Sequence, residues 1–458
     1  MTIFRTKPID VNAHSDTGLR RCLSAVDLTM LGIGCIIGAG IFVLTGIAAA
    51  TQAGPAIVVS FVVAGLACAF AALSYAELAA SIGGCGSAYG YAYAGLGEFI
   101  AWIIGWDLIL EYGVATAVVA IGWSGYVNSA LSAMGMPLPP ALMKVPMEGG
   151  WINLPATLVV LALSVLLAIG VRQTARFNTA VVMIKLVAIG IFVAVASFYV
   201  EPANWQPFMP FGWGGVMGGA AMIFFAYIGF DAVSTAAEEA RNPARDLPRG
   251  ILISLAICTF IYILVAGLLT GVVSYSTLNV PSPIADALMR LGHRWASGLV
   301  AAGAIAGLTT VMLVLYYGLT RVFLAMARDG LLPPVFSAVN RNTRTPVRII
   351  MLSGAIIATI AGFTPINDVA ELVNIGTLAA FVLVCAGVMV LRYTRPDMPR
   401  PFRTPFNPLI PLLGMVFCLY LMAQLPAITW WRFVIWLVIG VVVYFTYSRS
   451  HSSLARTN

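Results

Sequence analysis

The chain has 458 residues, 60% of them hydrophobic and 9% charged, and a formal net charge of +7 from 25 Lys and Arg against 18 Asp and Glu. An ordinary soluble domain carries about 25% charged residues. So few charges exclude a soluble enzyme, a disordered chain and, despite the basic balance, a nucleic-acid-binding protein. The composition therefore predicts an all-α polytopic membrane protein.

The reactive side chains form no pattern typical of an enzyme or a metal centre. The seven cysteines are odd in number and include no C-x-x-C pair, the three histidines lie outside the apolar segments, and no H-E-x-x-H sequence occurs. We therefore expect no catalytic residue, no metal ligand and no cofactor.

Apolar segments long enough to cross a bilayer recur along the chain, and each needs about 20 residues. Twelve spans are predicted, in chain order at about 27–52, 55–81, 97–133, 153–170, 178–200, 215–238, 249–273, 296–327, 347–363, 368–391, 408–425 and 429–448. The third and eighth spans are long enough to tilt or to project from the bilayer.

The distribution of Lys and Arg predicts the orientation of the spans. With the N-terminus in the cytoplasm, 20 of these residues fall on the cytoplasmic side and 4 on the outer side, and Lys185 is left inside the membrane. An even number of spans returns the C-terminus to the cytoplasm. Contact with the anionic lipids of the inner leaflet explains the basic clusters.

Two spans contain sequences that disfavour a continuous helix. Span 1 has four glycines among the nine residues from Gly32 to Gly40, and each costs about 1 kcal/mol relative to Ala inside a helix. Span 6 has Gly229 followed by Asp231, an acid near mid-span that should face protein or water. Glycine also permits close helix packing, but the crowding in span 1 favours local unwinding.

Interrupted helices at corresponding positions of two halves indicate a transporter site. Spans 1 and 6 lie five spans apart, an odd number, so the second half is inverted. The predicted architecture has 12 transmembrane helices: a 5+5 inverted repeat with discontinuous helices 1 and 6, plus helices 11 and 12. The predicted units are a cytoplasmic segment at 1–24, five-helix repeats at 25–200 and 201–393, helices 11 and 12 at 394–448, and a cytoplasmic tail at 449–458.

Such a pair of breaks suits a zwitterion. A half-helix that starts inside the membrane presents free N–H groups and a positive dipole end, which attract a carboxylate. A half-helix that ends there presents free carbonyls, which accept hydrogen bonds from an ammonium group. The predicted substrate contacts are the residues at the two breaks, namely Ile36, Gly38, Ala39, Gly40 and Ile41 in span 1 and Phe225, Ala226 and Ile228 in span 6.

Lys185 is the one Lys or Arg deep inside a span, about 12 Å from Phe177 along a helix. Snorkelling to the cytoplasmic face is one explanation. The other is a fixed cation that replaces a coupling cation and gains and loses a proton during the transport cycle. We predict proton coupling through Lys185, with Asp231 as the second titrating group.

Other acids divide by their depth in the spans. Glu111 lies deep in span 3, on the same helical face as Asp107, where it lines the substrate cavity or bonds to a neighbouring helix. Glu77, Glu98 and Glu371 lie nearer helix ends, where a solvated or capping role is expected.

Several motifs together resemble one protein family. They are Leu28–Phe42, Tyr75–Leu78, Ser87–Tyr91, Gly105–Tyr112, Phe225–Pro243 and Ala327–Pro333. Over about residues 19–447 the chain resembles the amino acid–polyamine–organocation superfamily, most closely bacterial members of the cationic amino acid transporter family. The resemblance implies a multi-pass protein of the bacterial cytoplasmic membrane with the inverted-repeat fold.

The resemblance also implies roles for single residues. The substrate carboxylate would meet the amides of Ala39 and Gly40, the ammonium group would meet the carbonyls at the break, and Phe225 would be the outer gate. Lys185 matches the family's helix-5 lysine, which goes with proton coupling. The chain departs from many relatives at Ala39, where they carry Ser or Thr, so a hydroxyl contact is lost.

The substrate is predicted from two further residues. Arginine needs a long pocket with an acid at its far end, and Glu111 offers the acid, but Leu315 stands where arginine-carrying relatives have a small residue. We therefore expect proton-coupled import of small neutral L-amino acids such as alanine. A sodium-independent transporter or exchanger of arginine and lysine is the alternative, and a small membrane partner subunit is left open.

Overall fold

A computed structural model describes residues 5–7, 23–82, 88–170, 175–234, 240–340, 343 and 345–456. Most of the predicted N-terminal segment therefore lies outside the described residues, as do Ser87 and Glu238 of the family motifs. Over the described ranges the regular secondary structure is helical, and the β contact is an isolated bridge between Leu23 and Ala240. The predicted all-α class is confirmed.

The helices are joined by connections of very different lengths, the longest of them at 134–153. In chain order they are α1 (Ala25–Ile36), α2 (40–53), α3 (Ile57–Ile82), α4 (Ala88–Gly95), α5 (Glu98–Ala133), α6 (Leu154–Ile169), α7 (Ala175–Ala196), α8 (Gly212–Ile223), α9 (Pro243–Val272), α10 (Pro283–Arg290), α11 (Arg294–Arg328), α12 (Val347–Phe363), α13 (Ile366–Thr394), α14 (Leu409–Ala423) and α15 (Ala427–Val443). Within α2, π-helical turns at Gly40–Leu44 and Ala49–Ala53 flank the α-helical Thr45–Ala48.

Eight helical segments of the described chain are long and apolar enough to cross a membrane. Four shorter apolar helices accompany them: α1 precedes the first segment, and α6, α12 and α14 lie between later ones. This confirms a polytopic membrane protein, while the count of twelve spans and the inverted repeat stay predictions. The long third and eighth spans appear as α5, with 36 residues, and α11, with 35.

Local sequence explains where several helices begin and end. The Ser24 hydroxyl accepts from the Asp27 amide and the Asp27 carboxylate accepts from the Ser24 amide, a capping box that starts α1. Gly54 divides α2 from α3, because its φ of 62° and ψ of −147° fit no helix and favour a residue without Cβ. Asn153 caps α6 by accepting from the Ala156 amide.

Two of the acids for which a solvated or capping role was expected are buried, so the solvated role is wrong for them. Glu77 is 2% exposed and pairs with Arg392 at 2.5 Å, with Arg400 near it at 3.5 Å. Glu98 is 1% exposed and accepts from the hydroxyls of Tyr444 and Ser452. The loop at Thr404 covers the end of α3 that carries Glu77, and the C-terminal segment at Ser452 covers the start of α5 that carries Glu98. Both acids are therefore buried and need polar partners.

Candidate functional site

The first interruption lies where the glycines of span 1 predict it. Helix α1 ends at Ile36, and Ile37 adopts an extended conformation with φ −73° and ψ 98°. After the break, the Phe42 amide donates to the Gly38 carbonyl at 3.2 Å. The amides of residues 39–41 precede that bond, so helical geometry gives them no acceptor. These three amides are therefore available as hydrogen-bond donors inside the bundle.

The second interruption lies in span 6. Helix α8 ends at Ile223, and a 3₁₀ turn at Phe224–Tyr227 leads into the extended Ile228. Gly229 follows with φ 116°, a conformation that a residue with Cβ rarely adopts. The chain therefore leaves the helix for one stretch and presents backbone carbonyls to the interior.

The two interruptions meet inside the bundle. A Cβ placed on Gly40 would lie 2.2 Å from the Cα of Ala226, and one on Gly229 would lie 3.0 Å from Cys35. Each break thus supplies a glycine that lets the backbone of the other approach. This mutual contact brings the amides of residues 39–41 and the backbone carbonyls of both interruptions to one place.

A small cavity of about 10 Å³ lies at this junction. Its lining consists of Cys35, Ile36, Gly38, Ala39, Gly40, Ala115, Val119, Phe225, Ile228, Val311 and Leu315. Seven of the ten predicted substrate residues belong to it. The other three, Ile41, Ala226 and Glu111, lie outside the lining.

The carbonyls at the breaks already have donors nearby. The hydroxyl of Tyr262, on α9, lies 2.7 Å from the Ile36 carbonyl oxygen and 2.8 Å from that of Ala226. A single hydroxyl proton serves one of them at a time, so the pair keeps free acceptor capacity. The Phe225 carbonyl accepts from the Ile228 amide at 3.2 Å.

Lys185 is fully buried, and its head group lies in the first interruption. Its Nζ donates to the carbonyls of Gly34 at 2.7 Å and Ile37 at 3.0 Å. The stem passes so close to Gly307 of α11 that a Cβ there would lie 2.7 Å from the Lys185 chain. Its burial excludes snorkelling in this conformation. No carboxylate of the described residues lies within ion-pair distance of Lys185.

Asp231 is buried just beyond the second interruption. Its carboxylate accepts from the Tyr112 hydroxyl at 3.1 Å and from the Gly229 amide at 3.2 Å. The second bond closes a local turn, so Asp231 stabilises the shape of the break.

The deep acids of α5 contact α13 rather than the cavity. The Glu111 carboxyl lies beside Thr377 of α13, and its Oε1 has no hydrogen-bond partner among the described residues. A Cβ on Gly376 would lie 2.6 Å from Oδ1 of Asp107. Of the two roles that the sequence leaves open for Glu111, the geometry favours the bond to a neighbouring helix.

Sequence reasoning missed five residues of this region. They are Cys35, Ala115, Val119 and Val311 in the lining and Tyr262 beside the carbonyls. Small and branched apolar residues in apolar spans carry no signal of their own. Ala115 and Val119 could have been found from the sequence, because they lie four and eight residues after Glu111 on the same face of α5.

A second small cavity, of about 10 Å³, lies among α3, α4, α5 and α13. Its lining is apolar except for Tyr91. A zwitterion needs polar partners once it is desolvated, so this cavity lacks the chemistry that the first one has.

Comparison with known proteins decides the family. Residues 23–447 match the family model described as amino acid permease. The chain belongs to this amino acid permease family. The resemblance inferred from the motifs is confirmed, and the permease is a transporter by descent rather than an enzyme.

Three relatives show the range of the similarity. The permease is 50% identical to the branched-chain amino acid permease of Bacillus subtilis, over 99% of both chains. It is 49% identical to the methylthioribose transporter of the same organism, again over 99% of both. It is 39% identical to cationic amino acid transporter 4 of Homo sapiens, over 86% of this chain and 63% of the human protein.

Proposed function

We propose that the permease imports neutral L-amino acids across the bacterial cytoplasmic membrane by proton-coupled alternating access, with small residues such as alanine as substrates. The observation that carries this proposal is the meeting of two interrupted helices at one cavity. The lining includes Ala39 and Gly40, whose amides lack helical acceptors, and the residues Ile36, Phe225 and Ile228, which bring backbone carbonyls from both interruptions. Such a site fits a carboxylate and an ammonium group a few bonds apart.

The lining argues for a neutral side chain. All the side chains that line the cavity are uncharged, and Leu315 and Phe225 are among them. A cationic side chain entering here would be desolvated without a partner, which is costly. Glu111 lies behind the lining, so an arginine substrate would require a wider cavity.

Proton coupling is supported by the position of Lys185. Its ammonium group donates hydrogen bonds to two carbonyls of the broken helix. In the proposal this fixed positive charge takes the place of a bound metal cation. Loss of the proton would remove the charge that strengthens these two hydrogen bonds and so loosen the break. We propose Asp231 as the second group that takes up and releases a proton during the cycle.

Branched-chain amino acids are the second candidate substrates. The similarity to the branched-chain amino acid permease of Bacillus subtilis and the aliphatic side chains of Val119 and Val311 at the cavity favour them. An apolar pocket distinguishes substrates that differ by one methylene by only about 1–3 kcal/mol. Alanine and leucine differ by three carbons, so a site that accepts both should bind them with clearly different affinities.

Uptake into proteoliposomes tests the proposal. Labelled alanine, leucine, arginine and methylthioribose are offered separately, with the pH gradient and the sodium gradient imposed independently. We expect alanine and leucine to accumulate under an inward proton gradient without sodium. Preferential uptake of arginine would support the cationic transporter instead, preferential uptake of methylthioribose would refute an amino acid substrate, and sodium dependence would refute coupling through Lys185.

The proposal includes the topology. Twelve spans in a five-plus-five inverted repeat with helices 11 and 12 added, and both termini in the cytoplasm, would place the two interruptions at mid-membrane. Membrane lipids surround this bundle, and amino acid and proton are its transported partners.

A further inference from the structure

The outer half of span 6 ends inside the bundle, and its last carbonyls need donors. In a continuous α-helix the carbonyls of Ala221 and Met222 would accept from the amides of Phe225 and Ala226. Because α8 ends at Ile223, these bonds are not formed. Unsatisfied carbonyls at this depth are costly, since no water is present to replace the lost partner.

Asn374 of α13 supplies the missing donors. Its side chain is fully buried, and its Nδ2 donates to the carbonyl of Ala221 at 2.8 Å and to that of Met222 at 2.9 Å. One amide group thus takes both of the acceptors that the next helical turn would use.

The same face of α13 also contacts the chain beyond the interruption. Phe381 follows Asn374 by seven residues, two helical turns. Its ring centroid lies 5.7 Å from that of Phe224 and 5.1 Å from that of Phe230. Helix α13 therefore touches span 6 on both sides of the stretch that carries Phe225.

We propose that Asn374 is a positioning residue that keeps span 6 unwound at the substrate site. By occupying the carbonyls of Ala221 and Met222 it prevents the helix from continuing through Phe225 and Ala226. Continuation would turn the carbonyls and the Phe225 ring away from the cavity. This inference rests on the proposed function, because it assigns the unwound stretch to substrate binding.

Hydrogen exchange of the peptide that covers residues 221–231 tests, without any substrate, whether Asn374 keeps span 6 unwound. In Asn374→Leu the freed carbonyls are expected to take the amides of Phe225 and Ala226, so these amides exchange more slowly than in the wild type. General loosening would speed exchange instead. Unchanged or faster exchange would overturn the inference.

Equilibrium binding of labelled alanine to the purified protein gives the second readout. We expect Kd to rise at least about tenfold in Asn374→Leu, because only a fraction of the molecules keeps the unwound conformation. In Asn374→Asp, which has the same shape, the ionised carboxylate donates no hydrogen bond and the protonated one donates one. Binding should therefore be weak at neutral pH and partly recover in acid, and Asn374→Asp replaces the leucine variant if that variant does not fold.

Asn367→Leu is the matched control, because it makes the same change seven residues earlier on α13. Wild-type exchange and Kd are expected there, and equal losses in both variants would overturn the inference. If the wild type binds alanine and Asn374→Leu binds it equally well, the inference fails while the proposed function stands. If the wild type binds no amino acid, the proposed function fails, whereas slowed exchange still supports the role of Asn374 in keeping span 6 unwound.

Discussion

At the scale of single residues, Lys185 is a buried ammonium group held by two backbone carbonyls. Lys185→Ala removes the charge that we assign to coupling, so proton-driven accumulation of alanine should disappear. Measuring alanine exchange in the absence of a gradient shows whether the variant still binds substrate, and so separates a loss of coupling from a loss of binding. Lys144→Ala, at an exposed loop position, is the control and should behave as wild type. Gradient-driven accumulation by Lys185→Ala would place the coupling group elsewhere.

Leu315 limits the cavity on the side of α11 and is 8% exposed. Leu315→Ser should open space toward Glu111 and admit labelled arginine, while alanine uptake continues. The change leaves a cavity in a packed region, and a stability loss of about 2–5 kcal/mol is the usual range for such truncations.

Glu111→Gln, added to the Leu315→Ser variant, should then remove arginine uptake and spare alanine, because the neutral amide cannot balance the guanidinium. Wild-type protein that prefers arginine to alanine would contradict both expectations.

Cys35 is the thiol that lines the candidate cavity, while Cys418 is buried on α14. A small methanethiosulfonate reagent should therefore inhibit uptake, and excess alanine should protect against it. Inhibition is measured as initial uptake rate after reaction with and without substrate. Cys35→Ala should resist the reagent and Cys418→Ala should not. Inhibition that persists in Cys35→Ala would show that the reagent acts outside the cavity.

At the scale of elements, α11 and α7 are packed around the Lys185 stem at Gly307. Gly307→Ala places a methyl group 2.7 Å from that stem, so Lys185 must leave the carbonyls of span 1. Overpacking of this kind costs about 1–3 kcal/mol. We expect gradient-driven uptake to be lost in a protein that still folds. Gly298→Ala on the same helix, which meets no atom within 4 Å, should transport normally. Coupled uptake by Gly307→Ala would contradict this role of α11.

Gly40, where the two interruptions approach most closely, is a poor position for testing substrate binding by substitution. A Cβ at Gly40 would lie 2.2 Å from the backbone of Ala226, so any substitution pushes two backbones apart and confuses loss of binding with loss of folding. Gly38, whose Cβ would meet Val311 at 3.5 Å, accepts a methyl group at ordinary contact distance.

At the scale of the whole molecule, the predicted topology places the loop at 134–153 outside and the C-terminal tail inside. Lys144 and Ser450 are exposed on these two segments. In a cysteine-free background, Lys144→Cys should react with a membrane-impermeant maleimide in intact cells, and Ser450→Cys only after permeabilisation. Labelling is read from the mass shift of the purified protein, and the reverse pattern would invert the assigned orientation.

The sequence alone determined the features that depend on composition and on local conformation. The content of 60% hydrophobic residues predicted a membrane protein. The membrane in turn predicted helices, because backbone groups in lipid must form their hydrogen bonds within the protein. The glycines of span 1 and the Gly229–Asp231 sequence located both interruptions, because glycine and a deep acid are each unfavourable in a continuous apolar helix.

Only the tertiary structure decided which side chains meet across the interruptions. Tyr262, Val311 and Asn374 lie in apolar spans that read as ordinary packing, yet they contact the site or the broken helix. Glu111 was predictable as a deep acid but not as a neighbour of Thr377. Contacts between distant segments depend on the rotation and approach of whole helices, and those are set by packing that no local pattern encodes.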